Sequence, residues 1–543
     1  MTTDIEQAPL TVWVTEPLWA SEQRRRWRGR LPSPRATILM VFALAVFWVG
    51  FAAHYAPERV TSAKNTLVQW ATPQPDHIVP APAVEGPEVD KLIDEVSRIR
   101  VLKSVLHERF PAGAWEKYRA NNYVSLDRLA ACIMHGGCNE SEMTVILAGS
   151  NHFGGSKAGQ VSGEDIWAAS SMEMFESLNH TILTAWDHWE ALVMYQALSN
   201  RIPIVIMEAS HYVKCAERSQ GKGKPEDDDK HWHKLPYCMQ SLKYPYGIPY
   251  WKVFQWHFWR GSNHALGNRW TMSPEDYAKM TGKEKEGYSL ETRCRKEEHF
   301  QVRKHRAFAF GKPPTLFAED ENAFWEAMPK VRDAIKPEGD EKFDILSLSG
   351  NALPEGERKE TLTPGIYTLG RQTQSNFTRF VAESKVMIGV GKPVLSPSPY
   401  DALCMGVPFI NPIVRWDKKH PENKFAWELQ QMGLRDVPEP YVYNVFAHDE
   451  EQLRRAVETA VNTPIERYIP PDMRFNTVLE RHRAWVTNDW HAEAVETVKE
   501  KYKDRPEAEY ASYIMYEQYM PDFPGPRVGE YVWKGEAKRW FGL

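Results

Sequence analysis

No cysteine precedes Cys132, and none of the six cysteines forms a Cys-x-x-Cys pair. That spacing excludes the common zinc-ribbon and thioredoxin-type sites. Basic residues are not in excess: 67 Lys and Arg stand against 72 Asp and Glu, for a net charge of −5. The electrostatic footprint of a nucleic-acid binder is therefore missing, and no nucleic-acid partner is expected. There is no internal repeat, which excludes a solenoid or propeller. Long apolar runs are also scarce. One exists, at residues 36–53, and no second membrane span follows it.

That run reads ATILMVFALAVFWVGFAA. As a helix it would rise about 27 Å, enough for a thin bilayer. Arg24, Arg25, Arg26, Arg28, Arg30 and Arg35 precede it, and the positive flank after it is much weaker. The positive-inside rule then leaves residues 1–35 in the cytosol and the rest in the lumen, as a single-pass type II signal-anchor. A cleaved signal peptide is the rival, but its apolar core would be unusually long. Residues 54–88 are rich in proline and alanine and read as a stem. All six cysteines lie beyond the anchor, where disulfides are permitted. Cys132 and Cys138 could close a small loop, and Cys404 could be a buried free thiol. Sequons at Asn139, Asn179 and Asn376 suit a lumenal glycoprotein.

The 42% hydrophobic content can furnish a core of two large domains. Val96, Ile99 and Leu102, with Leu92 and Ile93, show helical spacing. Short apolar strands follow at 143–150 and 202–210, with a helical region between them, and residues 306–312 read as the last strand of this half. Further strands at 343–350, 385–391, 406–412 and 441–445 alternate with helix-like stretches. Alternation of this kind predicts parallel α/β sheets. The expected division is 89–335 for an N-terminal Rossmann-like domain, 336–465 for a C-terminal one, and 466–543 for a helical tail packing across both.

The densest motif runs from Gly389 to Pro408: glycines at a strand end, a Ser/Pro turn, then a helix starting near Pro399 with Asp401 in its first turn. Free amides at such a helix start can hold a diphosphate, and the carboxylate can accept from ribose hydroxyls. The plain alternative is that Asp401 only complements the helix dipole. The longer pattern, P-x-[DE]-A-x-x-x-G-x-P-F-x-N-P, resembles glycosyltransferase family 18. Gly370-Arg371, residues 385–391, residues 423–429 and residues 439–445 resemble other stretches of that family. The likeness is thinner at Gly163-Glu164-Asp165-Ile166-Trp167 and Gly267-Asn268-Arg269-Trp270.

The resemblance implies the GT-B architecture, two Rossmann-like domains facing across a cleft. It implies an inverting, metal-independent transfer of GlcNAc from UDP-GlcNAc to a glycan or glycoprotein acceptor. N-glycan processing in the Golgi membrane, with a β-1,6 linkage, is the expected setting, and no cofactor is expected. By the match Glu164 would be the catalytic base, Asp401 and Pro399 would hold the donor, and Lys424 would offset diphosphate charge. Ser396 and Ser398 could hydrogen-bond the donor. The family's glutamate in the preceding turn is Leu395 here. A GT-B transferase with a fucosyl or mannosyl donor, or an inactive lectin or scaffold, are the alternatives. Asp227-Asp228-Asp229 has no apolar strand before it and reads as a solvated loop rather than a metal motif. His231 and His233 fit no common zinc spacing.

Overall fold

The computed structural model describes residues 87–109, 116–219, 238–240, 247–257, 264–274, 288–296, 303–501 and 503. The anchor and stem expected at residues 36–53 and 54–88 lie almost wholly outside these residues, as do the Asp227–Asp229 run, His231 and His233. Among the described residues no helix is long and apolar enough to cross a membrane.

Two helices, α1 (Pro87–Arg109) and α2 (Glu116–His135), lead into the first sheet. Val96, Ile99 and Leu102 are buried as their spacing predicts, but Leu92 and Ile93 are exposed. A one-turn helix, α3 (Glu140–Met143), precedes β1 (Val145–Gly149), of which every residue is buried. Next come α4 (Asn151–Lys157), α5 (Gly163–Ser177), β2 (Thr181–Thr184), α6 (His188–Leu198), β3 (Ile204–Glu208) and α7 (Ala209–Ser219). With β4 (Val253–Trp256) and β5 (Thr271–Met272), they form a parallel sheet of order β2-β1-β3-β4-β5. The region expected to be helical throughout between β1 and β3 thus contains an edge strand. Its four residues are too short a run to show against the helices around it.

A short helix, α8 (Glu291–Lys296), bridges to the second sheet. That sheet contains β6 (Lys304–Phe310), β7 (Asp344–Ser347), β8 (Lys359–Glu360), β9 (Tyr367–Thr368), β10 (Ser384–Gly389), β11 (Phe409–Arg415), β12 (Glu428–Leu429) and β13 (Val442–Phe446). Interspersed are α9 (Ala327–Ala334), α10 (Gln374–Ala382), α11 (Ser398–Cys404) and α12 (Glu450–Asn462). The parallel strands run β13-β11-β10-β6-β7-β9, with antiparallel β12 and β8 at the margins. Renumbered along the chain, this is the Rossmann order 3-2-1-4-5-6.

Strand β6 corrects one expectation. Residues 306–312 were expected to close the first half, which would then end at 335. Instead β6 pairs with both β10 and β7 and is the first strand of the second half. Its apolar run marks it as a fully buried strand, but a local pattern carries no information about which distant strands it joins.

After the second sheet the chain returns. Helices α13 (Phe475–Thr487) and α14 (Trp490–Lys501) pack on the first half. Phe175 meets His482 and Trp485, and Phe254 meets Trp485 and Trp490, with ring centroids 4.7–5.7 Å apart. All six cysteines are bonded: Cys132–Cys138, Cys215–Cys238 and Cys294–Cys404. The last bridge fastens α8 to α11, so Cys404 is not the free thiol that its apolar neighbours allowed. Ser289, just before α8, donates its backbone N–H to Ser170 Oγ on α5. The segment 288–296 therefore ties the two halves together.

Candidate active site at the two strand-order reversals

In open α/β sheets, ligands bind beyond the carboxyl ends of the strands where the strand order reverses. In the first half that place lies between β1 and β3. Gly149 ends β1 opposite Met207. An added Cβ there would sit 3.0 Å from Ile206 O and 3.1 Å from Ala191 Cβ, so the glycine lets β3 and α6 pack closely against the end of β1. Ser150 then accepts from His152 N and starts α4.

His152 is the centre of this crevice. Its Nδ1 lies 2.9 Å from Asp165 Oδ1. Asp165 is buried in the first turn of α5, and its other oxygen accepts from Ser162 N at 2.7 Å. Ser162 Oγ accepts in turn from Asp165 N, closing a capping box. Trp256 packs against His152 at 5.6 Å and stacks on Trp167 at 4.0 Å. Burial opposes protonation of His152. The hydrogen bond and charge of Asp165, with the charges of Glu164 and Glu208, outweigh it and hold the imidazole pKa above its usual value. Burial likewise pushes the Asp165 carboxyl up, but bonds from His152 and Ser162 hold it below the usual range. Glu164, half-buried, stands one residue before Asp165 in that helical turn.

In the second half the strand order reverses between β6 and β10. Gly311 and Lys312 follow β6 directly. They line a cavity of about 690 Å³ with Pro313, Pro314, Gly350, Asn351, Arg371 and Phe377. Val161, from the loop before α5, lines it from the first half. The Lys312 side chain reaches solvent in this cleft, yet the protein around its ammonium pulls the pKa below the usual lysine value. Glu164 opposes that shift, Arg371 and Arg293 reinforce it, and Asp165 opposes it. Val161 of the first half thus shares a cavity with the loops after β6, β7 and β9, and Glu164 and Lys312 stand in each other's field.

The other expected site residues are placed differently. Helix α11 starts at Ser398, and Ser398, Pro399 and Asp401 are all buried. Asp401 Oδ2 lies 3.3 Å from an Arg293 guanidinium nitrogen. Ser396 O accepts from Gln431 Nε2, and Ser396 Oγ lies 3.5 Å from Ser398 Oγ. Leu395 is buried with φ +64° and donates its N–H to Gln430 O, so the family's glutamate position is an apolar core position in this chain. Gly389 has no room for a Cβ beside Gln430 Oε1, and that oxygen accepts from Gly391 N at 2.9 Å. Gly389 thus makes space for Gln430, and Gly391, at φ +103°, donates to it. Lys424 is exposed on a 3₁₀ turn, 5.7 Å from the Trp427 ring centroid. None of Ser396, Ser398, Pro399, Asp401 and Lys424 lines the cavity.

His152, Glu208, Arg293 and Lys312 were not singled out from the sequence. Lys312 carried a usable signal, since Gly311-Lys312-Pro313-Pro314 directly follows a buried strand. Assigning that strand to the wrong sheet concealed it. His152 and Glu208 carried none beyond their positions just after apolar strands.

Residues 270–504 match glycosyltransferase family 18. The chain is 22% identical over 167 residues to human alpha-1,6-mannosylglycoprotein 6-beta-N-acetylglucosaminyltransferase B, covering 28% of this chain and 21% of that protein. It is 26% identical over 115 residues to the human A enzyme, covering 19% and 15%. The chain thus spans about a fifth of the length of the curated relatives it matches. Among solved structures, it is similar to sucrose-phosphate synthase from Thermosynechococcus elongatus, with TM-score 0.33 and 12% identity over 66% of this chain and 98% of that one. It is also similar to UDP-GlcNAc 2-epimerase from Methanocaldococcus jannaschii, with TM-score 0.31 and 13% identity over 63% and 99%.

Proposed function

We infer that this chain, whose residues 270–504 carry the glycosyltransferase family 18 sequence, is a glycosyltransferase working in the cleft between its two halves. The single observation that carries the reading is that the two strand-order reversals lie within each other's electrostatic field and are of opposite character. Glu164 stands on one side, and Lys312 with Arg371 on the other.

The reaction proposed is transfer of GlcNAc from UDP-GlcNAc to a hydroxyl of a mannose-containing glycan. The attacking oxygen forms a bond to the anomeric carbon from the face opposite the diphosphate. The bond from that carbon to the diphosphate oxygen breaks, and UDP leaves with the electron pair. One displacement inverts the anomeric centre. Glu164 takes the proton of the attacking hydroxyl, a role that general-base catalysis typically makes worth about 10²–10⁴-fold in rate. Lys312 and Arg371 face the charge that develops on the diphosphate, with no metal in this reading. The nucleotide extends towards Ser396, Ser398 and the Pro399 helix start. Arg293 supports that placement, because it contacts Asp401 and also contributes to the field at Lys312. Lys424 would join only if its surface turn folds inward on donor binding.

A β-1,6 linkage and a Golgi location belong to the same reading. The linkage rests on the names of the relatives, and the location on the apolar run at 36–53 with its arginine-rich flank, read as a membrane anchor. The test is turnover of UDP-GlcNAc by the purified chain with a mannoside acceptor in EDTA, compared with Glu164→Gln. Full activity in the variant removes Glu164 as the base. Loss of wild-type activity in EDTA rules out the metal-free mechanism. Turnover only with GDP-fucose or GDP-mannose would establish the other donor class.

A further inference from the structure

Two polar side chains in the first-half crevice have no part in the mechanism above, although they stand beside its proposed base. His152 is fixed by the hydrogen bond from its Nδ1 to Asp165. Its Nε2 has no protein partner among the described residues, and a quarter of the side chain is exposed. Glu208 ends β3, one residue beyond the Met207 that pairs with Gly149. Its Oε1 accepts from Ser210 Oγ at 3.0 Å, and its Oε2 has no protein partner among the described residues. Trp256, paired with Glu208 across β3 and β4, supports the His152 ring from behind.

We propose that His152 and Glu208 form the acceptor-sugar subsite, binding hydroxyls next to the one that Glu164 deprotonates. This rests on the transfer reading and deepens it. The arrangement suits a sugar. Vicinal hydroxyls both donate and accept, and here an N–H donor and a carboxylate acceptor stand in each other's field at the strand-order reversal. Asp165 makes the donor dependable. It binds the Nδ1 proton, so the Nε2 of the imidazolium presents N–H to the crevice. The carboxylates facing His152 are Asp165 and Glu164 on α5 and Glu208 at the end of β3, and all three favour that charged form. When the imidazolium loses its proton, Nδ1–H stays with Asp165 and Nε2 turns from donor to acceptor. Acceptor binding therefore weakens as pH rises through the His152 pKa, which lies above the usual imidazole value.

The experiment uses the full chain with UDP-GlcNAc and an octyl α-1,6-dimannoside as acceptor probe. Replacing His152 by Ala, or Glu208 by Gln, raises acceptor KM about tenfold or more, the scale of a lost charge-assisted hydrogen bond. Donor KM stays near wild type in both variants, and the melting temperature does so in Glu208→Gln, which leaves the His152–Asp165 pair intact. His152→Gln, which keeps an amide donor, recovers part of the loss. Asp165→Asn moves the rise of acceptor KM to lower pH. Unchanged acceptor KM in the His152 and Glu208 variants overturns the proposal. So does a parallel rise of donor and acceptor KM, which would mark a structural role. If the wild type transfers no GlcNAc, the transfer reading fails. Saturation-transfer NMR with the dimannoside then decides the subsite: signal lost in Glu208→Gln upholds it, and equal signal overturns it.

Discussion

The two halves bring opposite chemistry to their strand-order reversals. The first half offers carboxylates and an imidazole at the end of β1 and β3. His152, Asp165 and Glu208 are oriented by hydrogen bonds from their own half, with Asp165 shared between Ser162 and His152. The second half offers Lys312 and Arg371 on loops after β6 and β9, set beside a cavity rather than held in a bonded network. The difference follows from what each side would handle. A neutral sugar hydroxyl must be aimed and deprotonated, which demands fixed directions. A diphosphate is a diffuse double charge, which tolerates a mobile ammonium.

The sharpest way to break the comparison is to cross the halves. Glu164→Gln should lower kcat about 10²–10⁴-fold while donor KM moves only a few-fold. Lys312→Met should raise donor KM about 10–100-fold and leave acceptor KM nearly unchanged. Steady-state kinetics with both substrates varied checks both. An acceptor-side effect of Lys312→Met would show that the division of labour is wrong.

The tether between the halves comes next. Replacing Cys294 and Cys404 by serine removes a bridge spanning 110 residues and should lower stability by about 2–5 kcal/mol. The bridge from Cys132 to Cys138, with a separation of 6, should matter less in the same thermal or urea unfolding series.

A smaller, pH-dependent effect separates the bonded network from the cavity side. Asp165 has a lowered folded pKa, so its contribution is present above its unfolded value of 3.8 and lost as pH falls through the folded one. His152 has a raised folded pKa, so its contribution is complete below its unfolded value of 6.5 and lost as pH rises through the folded one. The pair therefore stabilises most between those limits. Asp165→Asn should lower the melting temperature more at pH 5.5 than at pH 9. The smallest effect is expected at Arg269, which pairs with Glu493 on α14 at a partly exposed site. Arg269→Ala should cost about 1 kcal/mol or less by the same measurement.

Strands β1, β3, β10, β11 and β13 were legible because buried parallel strands read as continuous apolar runs. Helices α10, α11 and α12 were legible from their periodicity and start signals. Edge strand β2 was not, since four residues between two helices leave no distinct run. In the site, Glu164 was found only through resemblance. Asp401 was read as a ribose ligand, and nothing local showed that Arg293, 108 positions away in the chain, would meet its carboxylate.

Local chain chemistry determined the alternating α/β character and most strand positions, because each depends on neighbours within a few residues. Only the folded molecule decided that β6 opens the second half, that Cys294 bonds Cys404, and that Glu164 and Lys312 stand in each other's field. Those outcomes depend on strand pairing and packing between residues far apart in sequence, where many arrangements bury similar apolar area and only the assembled sheets select one.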